Sequence, residues 1–288
     1  MKKIGILLDS FGGISEKEIK ANGFEMIPLQ FSIDGKDYID NGSELSNKEI
    51  SELVKTSEET KTSLPSLATI EERLEQMSKE YENVIVLLTS SALSSTFQTV
   101  MVESKKYGDK FKLVDNHFFA DQALEISKFL VKKAAEGKTI DELIKFVKQV
   151  NEKSLNYLIV KDLTSLIRGG RLTGMKKILL NSFKLIPLLK VSQEGISFGG
   201  LKRTLKGSYE KVIEKLIEFI GGLSYLENYE FKFSYAGDLE MFNEAQKALN
   251  EYKAKIEKDQ ISSATVLIHT GFKCASIGIW PKLSKLKF

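Results

Sequence analysis

The run Val84-Ile85-Val86-Leu87-Leu88, followed at once by Thr89-Ser90-Ser91-Ala92-Leu93-Ser94-Ser95-Thr96, constrains this chain more than any other segment. Five consecutive apolar residues, β-branched at the first three, read as a strand buried on both faces. Beyond the hydroxyl-rich turn the pattern becomes helical, with Ser95 and Gln98 at capping-box spacing. A strand that ends in hydroxyls at a helix N-terminus suits an anion, because unpaired backbone N–H groups and the helix dipole point there. Ser94 falls just outside that expected cap, leaving its hydroxyl for something other than its own helix.

The same rhythm repeats on either side. Ile4–Leu8 reads as a buried strand ending at Asp9-Ser10, and Glu25–Leu29 as another, with a short helix between them opened by Ser15 and Glu18. Helices are expected over Ser46–Lys55, Ala68–Lys79, Ala120–Glu136 (ending at Gly137) and from Thr139 to about Val150, with a strand at Phe111–Val114. Strands alternating with helices imply a mostly parallel sheet with helices on both faces. A second α/β unit is expected from Leu155, so the domains are 1–154 and 155–288. In it, Leu155–Val160, Leu185–Val191, Ile196–Leu201, Glu230–Tyr235 and Ala264–Ile268 read as strands. Helices are expected around Leu163–Arg168, from there to about Ser182, over Tyr209–Ile220 and over Met241–Tyr252.

Composition excludes several classes of function. A net charge of +3 is small, so no global field drives binding to nucleic acid or to more than a transient membrane contact. One cysteine permits no intrachain disulfide and fits a reducing, cytoplasmic compartment; with two histidines it cannot build the usual structural zinc site. The apolar stretch near Met1 is too short for a signal peptide. Basic residues are mostly lysine, yet three of the four arginines, Arg168, Arg171 and Arg203, fall in one region. Arginine's planar fork suits bidentate recognition.

Each motif carries a plain reading beside a functional one. Thr62-Ser63-Leu64-Pro65-Ser66 is either a capped turn before a helix or a second pair of hydroxyl donors for the same anion. His269-Thr270-Gly271, placed after an expected strand, is either a structural histidine or a ligand contact where open α/β sheets bind ligands. His117 has a weaker context and reads as structural. Arg168-Gly169-Gly170-Arg171 has neither P-loop nor dinucleotide spacing, and no Gly-x-Ser-x-Gly elbow surrounds Ser94. No cofactor, metal or catalytic set is expected from these residues.

Taken in order, the motifs resemble the DegV family of bacterial fatty-acid-binding proteins along essentially the whole chain. The resemblance is carried by the first strand and Asp9-Ser10, by Gly35-Lys36-Asp37-Tyr38-Ile39-Asp40, and by Thr62-Ser63-Leu64-Pro65-Ser66. Ser90–Thr96, Asp162-Leu163 through Gly169-Gly170-Arg171, and His269-Thr270-Gly271 complete it. The resemblance implies a two-domain α/β protein that holds a long-chain fatty acid between its domains. Thr62, Ser94 and His269 would contact the carboxylate, with Ser63 and Thr270 beside them. The bound acid would be presented to a separate fatty acid kinase, with Arg203, and Arg171 of the glycine-flanked pair, as contacts for that partner or step. Leu179, Leu180, Phe183, Leu185, Ile186 and Leu188 would line the acyl tunnel or serve as ordinary core. The readings set against this carrier are a small-molecule phosphotransferase using the arginine-rich region and a lipid-sensing regulatory module.

Two departures from the family pattern stand out. Ser95 occupies a glycine position of the Leu-Ser-Gly-Thr turn, where a different backbone angle is expected to be required. Phe272-Lys273 replaces Pro-Gly after His-Thr-Gly, with Phe272 expected to narrow the tunnel and Lys273 to add a cation near the head group.

Overall fold

Residues 2–168, 184–256 and 258–288 are described by the computed structural model. Arg171, the expected helix reaching Ser182, and Leu179, Leu180 and Phe183 lie outside the described residues. The first half of the chain forms β1 (Lys2–Asp9), α1 (Glu16–Ala21), β2 (Glu25–Ile27), β3 (Gln30–Ile33), β4 (Lys36–Ile39), α2 (Asn47–Thr56) and β5 (Thr60–Ser63). It continues through α3 (Leu67–Glu80), β6 (Tyr81–Leu87), α4 (Thr96–Ser104), β7 (Phe111–Leu113), α5 (Gln122–Ala135) and α6 (Ile140–Glu152). The second half forms β8 (Leu155–Val160), α7 (Thr164–Arg168), β9 (Ile186–Ser192), β10 (Gly195–Lys202) and α8 (Leu205–Phe219). It ends with β11 (Tyr229–Tyr235), α9 (Leu239–Asn250), α10 (Ala264–Thr270) and β12 (Cys274–Pro281).

A four-stranded parallel sheet, ordered β2-β1-β6-β7, forms the expected first layer. Successive strand residues face opposite sides. Ile6, Leu8, Ile85 and Leu87 therefore pack against α5 and α6, while Leu7, Val84, Val86 and Leu88 pack against α3 and α4. The chain steps from β1 to β2 in one direction and from β6 to β7 in the other. Such a reversal opens a crevice at the carboxyl ends of the two central strands.

A second, five-stranded antiparallel sheet runs β10-β9-β8-β12-β11. One face, carrying Tyr157, Ile159, Phe233 and Ile277, is covered by α8 and α9. The opposite face carries Asn156, Leu158, Ser234 and Ser276 by the same alternation.

Helix starts were well marked in the sequence. Ser46 with Glu49, and Thr139 with Glu142, form complete capping boxes at α2 and α6. Four expectations need correction. Ala264–Ile268 is helical: Ser263 caps α10 by accepting from Val266 N, and Ala264, Leu267 and Ile268 bury one face at helical spacing. A short apolar run does not by itself separate strand from buried helix. Thr62 and Ser63 are not in a loop; they form the end of β5, an edge strand of a three-stranded sheet β4-β3-β5 that the sequence did not suggest. Ser95 makes no side-chain cap on α4, because Ser94 Oγ accepts from Thr96 N instead, at 3.2 Å. Central strand β12 was also unforeseen, although Ile277 and Ile279 alternate with Ser276 and Gly278.

Gly278 stands beside Asn156 in the β8–β12 register. A Cβ there would sit 2.1 Å from Asn156 Oδ1 and 2.8 Å from the Leu155 carbonyl oxygen, which the backbone cannot withdraw. Gly278→Ala is expected to destabilise the fold by about 1–3 kcal/mol through overpacking. A lowered urea midpoint with an unchanged m-value would show it.

Candidate functional site

A cavity of about 300 Å³ lies where the loops after β1, β6 and β7 face α10 and the polar side of the antiparallel sheet. This is the crevice that the strand reversal creates. Among the described residues no charged side chain borders it; the wall mixes apolar side chains such as Leu64, Leu93, Leu158 and Phe118 with hydroxyls, an amide and two imidazoles.

Thr62 and His269 meet across 207 positions of sequence: Thr62 Oγ1 and His269 Nε2 lie 2.8 Å apart and share a hydrogen bond. Thr62 is held by the pairing of β5 with β3, opposite Phe31. His269 sits in the last turn of α10, not beyond a strand as the sequence suggested. Ser63, Ser94 and Thr270 border the same cavity. Their hydroxyls are differently engaged. Among the described residues Ser63 Oγ reaches Gln30 Oε1 alone, at 3.5 Å, whereas Thr270 Oγ1 donates to the Val266 carbonyl at 2.8 Å. Ser94 Oγ holds the start of α4 and pairs with Thr96 Oγ1 at 2.9 Å, so its hydroxyl is not left over as expected.

Most of the serine-rich turn is spent in the same way. Thr89 donates to Asp9 through its backbone N–H at 2.6 Å and its hydroxyl at 2.7 Å. Ser91 donates to Asp115 through both groups, and Ser90 Oγ accepts from Ala92 N at 3.3 Å. The turn shapes the cavity wall more than it offers free donors.

Arg203 is exposed between β10 and the Thr204 cap of α8, and it does not border the cavity. Ser95 has φ −74° and ψ −3°, an ordinary right-handed conformation, so the replacement of glycine strains nothing. Phe272 and Lys273 also stay off the wall. The Phe272 ring instead lies under Lys55, 4.6 Å from ammonium to centroid, where a cation–π contact holds it against α2.

The sequence reading left His117 as structural and passed over Asn156 and Thr265, yet all three border the cavity. Burial lowers the His117 pKa, and its Nε2 lies 3.0 Å from the Ser154 carbonyl. Asn156 Nδ2 donates to the His117 carbonyl at 2.8 Å. The usable signal for His117 was its place just past β7, at the carboxyl edge of the parallel sheet.

Two buried carboxylates stand behind the wall. Burial raises the pKa of Asp9 despite its hydrogen bonds from Thr89 and Phe11. Asp40 is pushed up to about 7, chiefly by burial, against the hydrogen bond from Ser10 and the backbone amides of Thr265 and Ala264.

Comparison with known proteins places this geometry in context. A family model described as "Uncharacterised protein, DegV family" matches residues 3–282. A DegV domain-containing protein of Streptococcus pneumoniae is 28% identical over 283 residues, covering 94% of this chain and 96% of that one. One from Mycoplasma genitalium is 26% identical over 303 residues, covering 97% and 98%. The same fold occurs in a DegV family protein from Thermus thermophilus whose structure describes fatty acid binding, with a TM-score of 0.84 and 19% identity over 97% of this chain and 100% of that one. It occurs again in DegV from Bacillus subtilis, described as a fatty acid binding protein, with a TM-score of 0.82 and 22% identity over 98% and 100%.

Asp40 makes a prediction that needs no ligand. Its pKa in the fold lies above the ordinary 3.8, at about 7, so the folded state retains its proton where the unfolded chain has lost it. Its contribution to stability is complete below pH 3.8 and drains away as pH rises to about 7. Subtracting the stability profile of Asp40→Asn from that of the wild type should leave a component that falls across this window. Urea unfolding at a series of pH values checks it, and a flat difference would refute it.

Proposed function

The chain belongs to the DegV family, and from that premise we propose that it binds a long-chain fatty acid, with the carboxylate at the Thr62–His269 pair. That pair carries the reading: a hydroxyl and an imidazole already in register at one wall of a cavity that is otherwise largely apolar. Ser63 and Ser94 stand beside it as further contacts, and Thr270 steadies the turn of α10 that bears His269. Residues from 1–154 and 155–288 both contribute walls, in keeping with a ligand held between two domains divided there.

The energetics suit such a ligand. Each buried methylene is worth about 0.8 kcal/mol, so burying most of a long chain supplies on the order of 10 kcal/mol. A few polar groups then need only fix orientation, which is the usual division of labour in small-molecule sites. The neighbouring folds described as fatty acid binding support the same ligand class.

We read the chain as a carrier rather than a catalyst. The carrier would present the acid to a separate fatty acid kinase, with the exposed Arg203 available to that partner.

Denaturing extraction of the purified protein followed by mass spectrometry should release a long-chain fatty acid. Finding none, with no binding of added fatty acids, removes the proposal. Thr62→Val should weaken fatty-acid binding by about 0.5–1.5 kcal/mol, the worth of one hydrogen bond, or more if the carboxylate is fully desolvated. Titration of delipidated protein measures the change.

A further inference from the structure

The segment joining β7 to α5 supplies four consecutive residues of the cavity wall, His117, Phe118, Phe119 and Ala120. Two of its rings rest on β12. Phe118 meets Trp280 edge-to-face, with centroids 6.1 Å apart and an interplanar angle of 86°. Phe119 lies over Gly278, where an added Cβ would stand 2.9 Å from Phe119 Cε1. Ala120 holds φ at +50°, in the left-handed region that a residue with a side chain rarely adopts. Its carbonyl oxygen lies so close to Gly12 that a Cβ there would fall 2.6 Å away. Such a conformation persists where the surroundings over-determine it.

At the α5 end this wall is held by charges gathered around Lys232 of β11. Lys232 Nζ lies 2.7 Å from Glu125 in the first turn of α5, 3.7 Å from Asp121 just before that helix, and 3.2 Å from Glu230 on its own strand. Lys258, itself half exposed, reaches the other oxygen of Asp121 at 3.6 Å. The Lys232 ammonium also stands 5.4 Å from the Trp280 ring centroid, and the Trp280 indole N–H donates to Glu230. Gln122 Oε1 accepts from Phe119 N at 3.0 Å, which joins the wall to the same helix start. The Lys232 side chain is only 12% exposed, so salt screens these pairs little. Burial lowers its pKa, but the three carboxylates outweigh that and leave it raised, so the cation persists at neutral pH.

Lys232 thus touches both supports of the wall: the helix start that follows Ala120 and the indole on which Phe118 rests. On the fatty-acid reading above, we propose that Lys232 is a positioning residue for the ligand. It does not border the cavity, yet it fixes the Phe118–Ala120 wall against which the acyl chain packs. An apolar residue in its place leaves Asp121, Glu125 and Glu230 to repel one another, which drives the start of α5 away from β11.

The test is titration of delipidated wild type, Lys232→Met and Lys232→Arg with octadecanoic acid. Methionine keeps an unbranched stem and removes the charge, whereas arginine keeps the charge. Lys232→Met is expected to bind about tenfold more weakly, the cost of losing a preorganised wall, and Lys232→Arg within about threefold of wild type. Lys133→Met, which breaks the Lys133–Glu136 pair at the far end of the same helix, should bind as the wild type does. Trp280, the sole tryptophan, gives a second readout. Octadecanoic acid should change its emission in the wild type and in Lys232→Arg, and much less in Lys232→Met. Where Lys232→Met does not fold, Glu125→Gln decides in its place, with an expected loss of about threefold to fivefold. Wild-type affinity in the deciding variant, an equal loss in Lys133→Met, or a Lys232→Arg as weak as Lys232→Met overturns the assignment. If the wild type binds no fatty acid, the fatty-acid reading itself falls and takes this one with it.

Discussion

The cavity depends on one buried carboxylate. Asp40, at the end of the small β4-β3-β5 sheet, accepts from Ser10 Oγ at 3.2 Å, and Ser10 in turn accepts from Leu29 N at 3.0 Å. Backbone amides of Ala264 and Thr265 at the start of α10 turn toward the same carboxylate. A single side chain thus ties the loop after β1, the strand region that carries Thr62, and the helix that carries His269. Burying a carboxylate is costly unless it is well paired, and here part of the cost is met by a raised pKa. What the arrangement gains is registration: Asp40 holds the start of the helix that carries His269 against the loop after β1 and the residue leading into β3, which pairs with the strand of Thr62.

The parallel sheet could be read from the sequence because its information is local. Val84–Leu88 and Ile4–Leu8 are apolar on both faces, and the helices between strands announce themselves with capping boxes at Ser46 and Thr139. The misreadings share one physical origin. Ala264–Ile268 is short and uniformly apolar, so periodicity could not distinguish strand from buried helix, and only Ser263 and the bend at Gly271 mark it as α10. The β4-β3-β5 sheet depends on leaning Phe31 and Ile33 against Leu158 and Leu189, residues more than a hundred positions away. No local pattern encodes that contact.

The site divides along the same line. Thr62, Ser63, Ser94, His269 and Thr270 were identifiable as motifs by resemblance, and all border one cavity. Which hydroxyls are available was not identifiable, because Ser94 and Thr89 look alike in sequence. One is committed to Thr96 and the other to Asp9, and both facts are set by tertiary structure. Thr62 differs only because a histidine from the far end of the chain arrives beside it. Asn156 was hidden for a related reason: in the run Leu155–Val160 it looks like a polar interruption of a buried strand, and only the sheet register shows that its face is the cavity floor.

A wall without aspartate, glutamate, lysine or arginine among the described residues treats a long amphiphile in a particular way. A strongly basic pocket would seize any carboxylate and leave the chain to find its own path. On the proposed reading, hydroxyl donors and an imidazole direct the head group, and most of the affinity comes from the length of chain buried. Discrimination then falls to whatever interrupts the apolar path, since a missing methylene changes binding modestly whereas a stranded buried acceptor is penalised more heavily. His117 and Asn156 border the cavity, with His117 Nε2 at the Ser154 carbonyl and Asn156 Nδ2 donating to the His117 carbonyl. On the proposed reading the Thr62–His269 pair sets which end of the ligand faces the last turn of α10, and the apolar wall sets how much of the chain is buried.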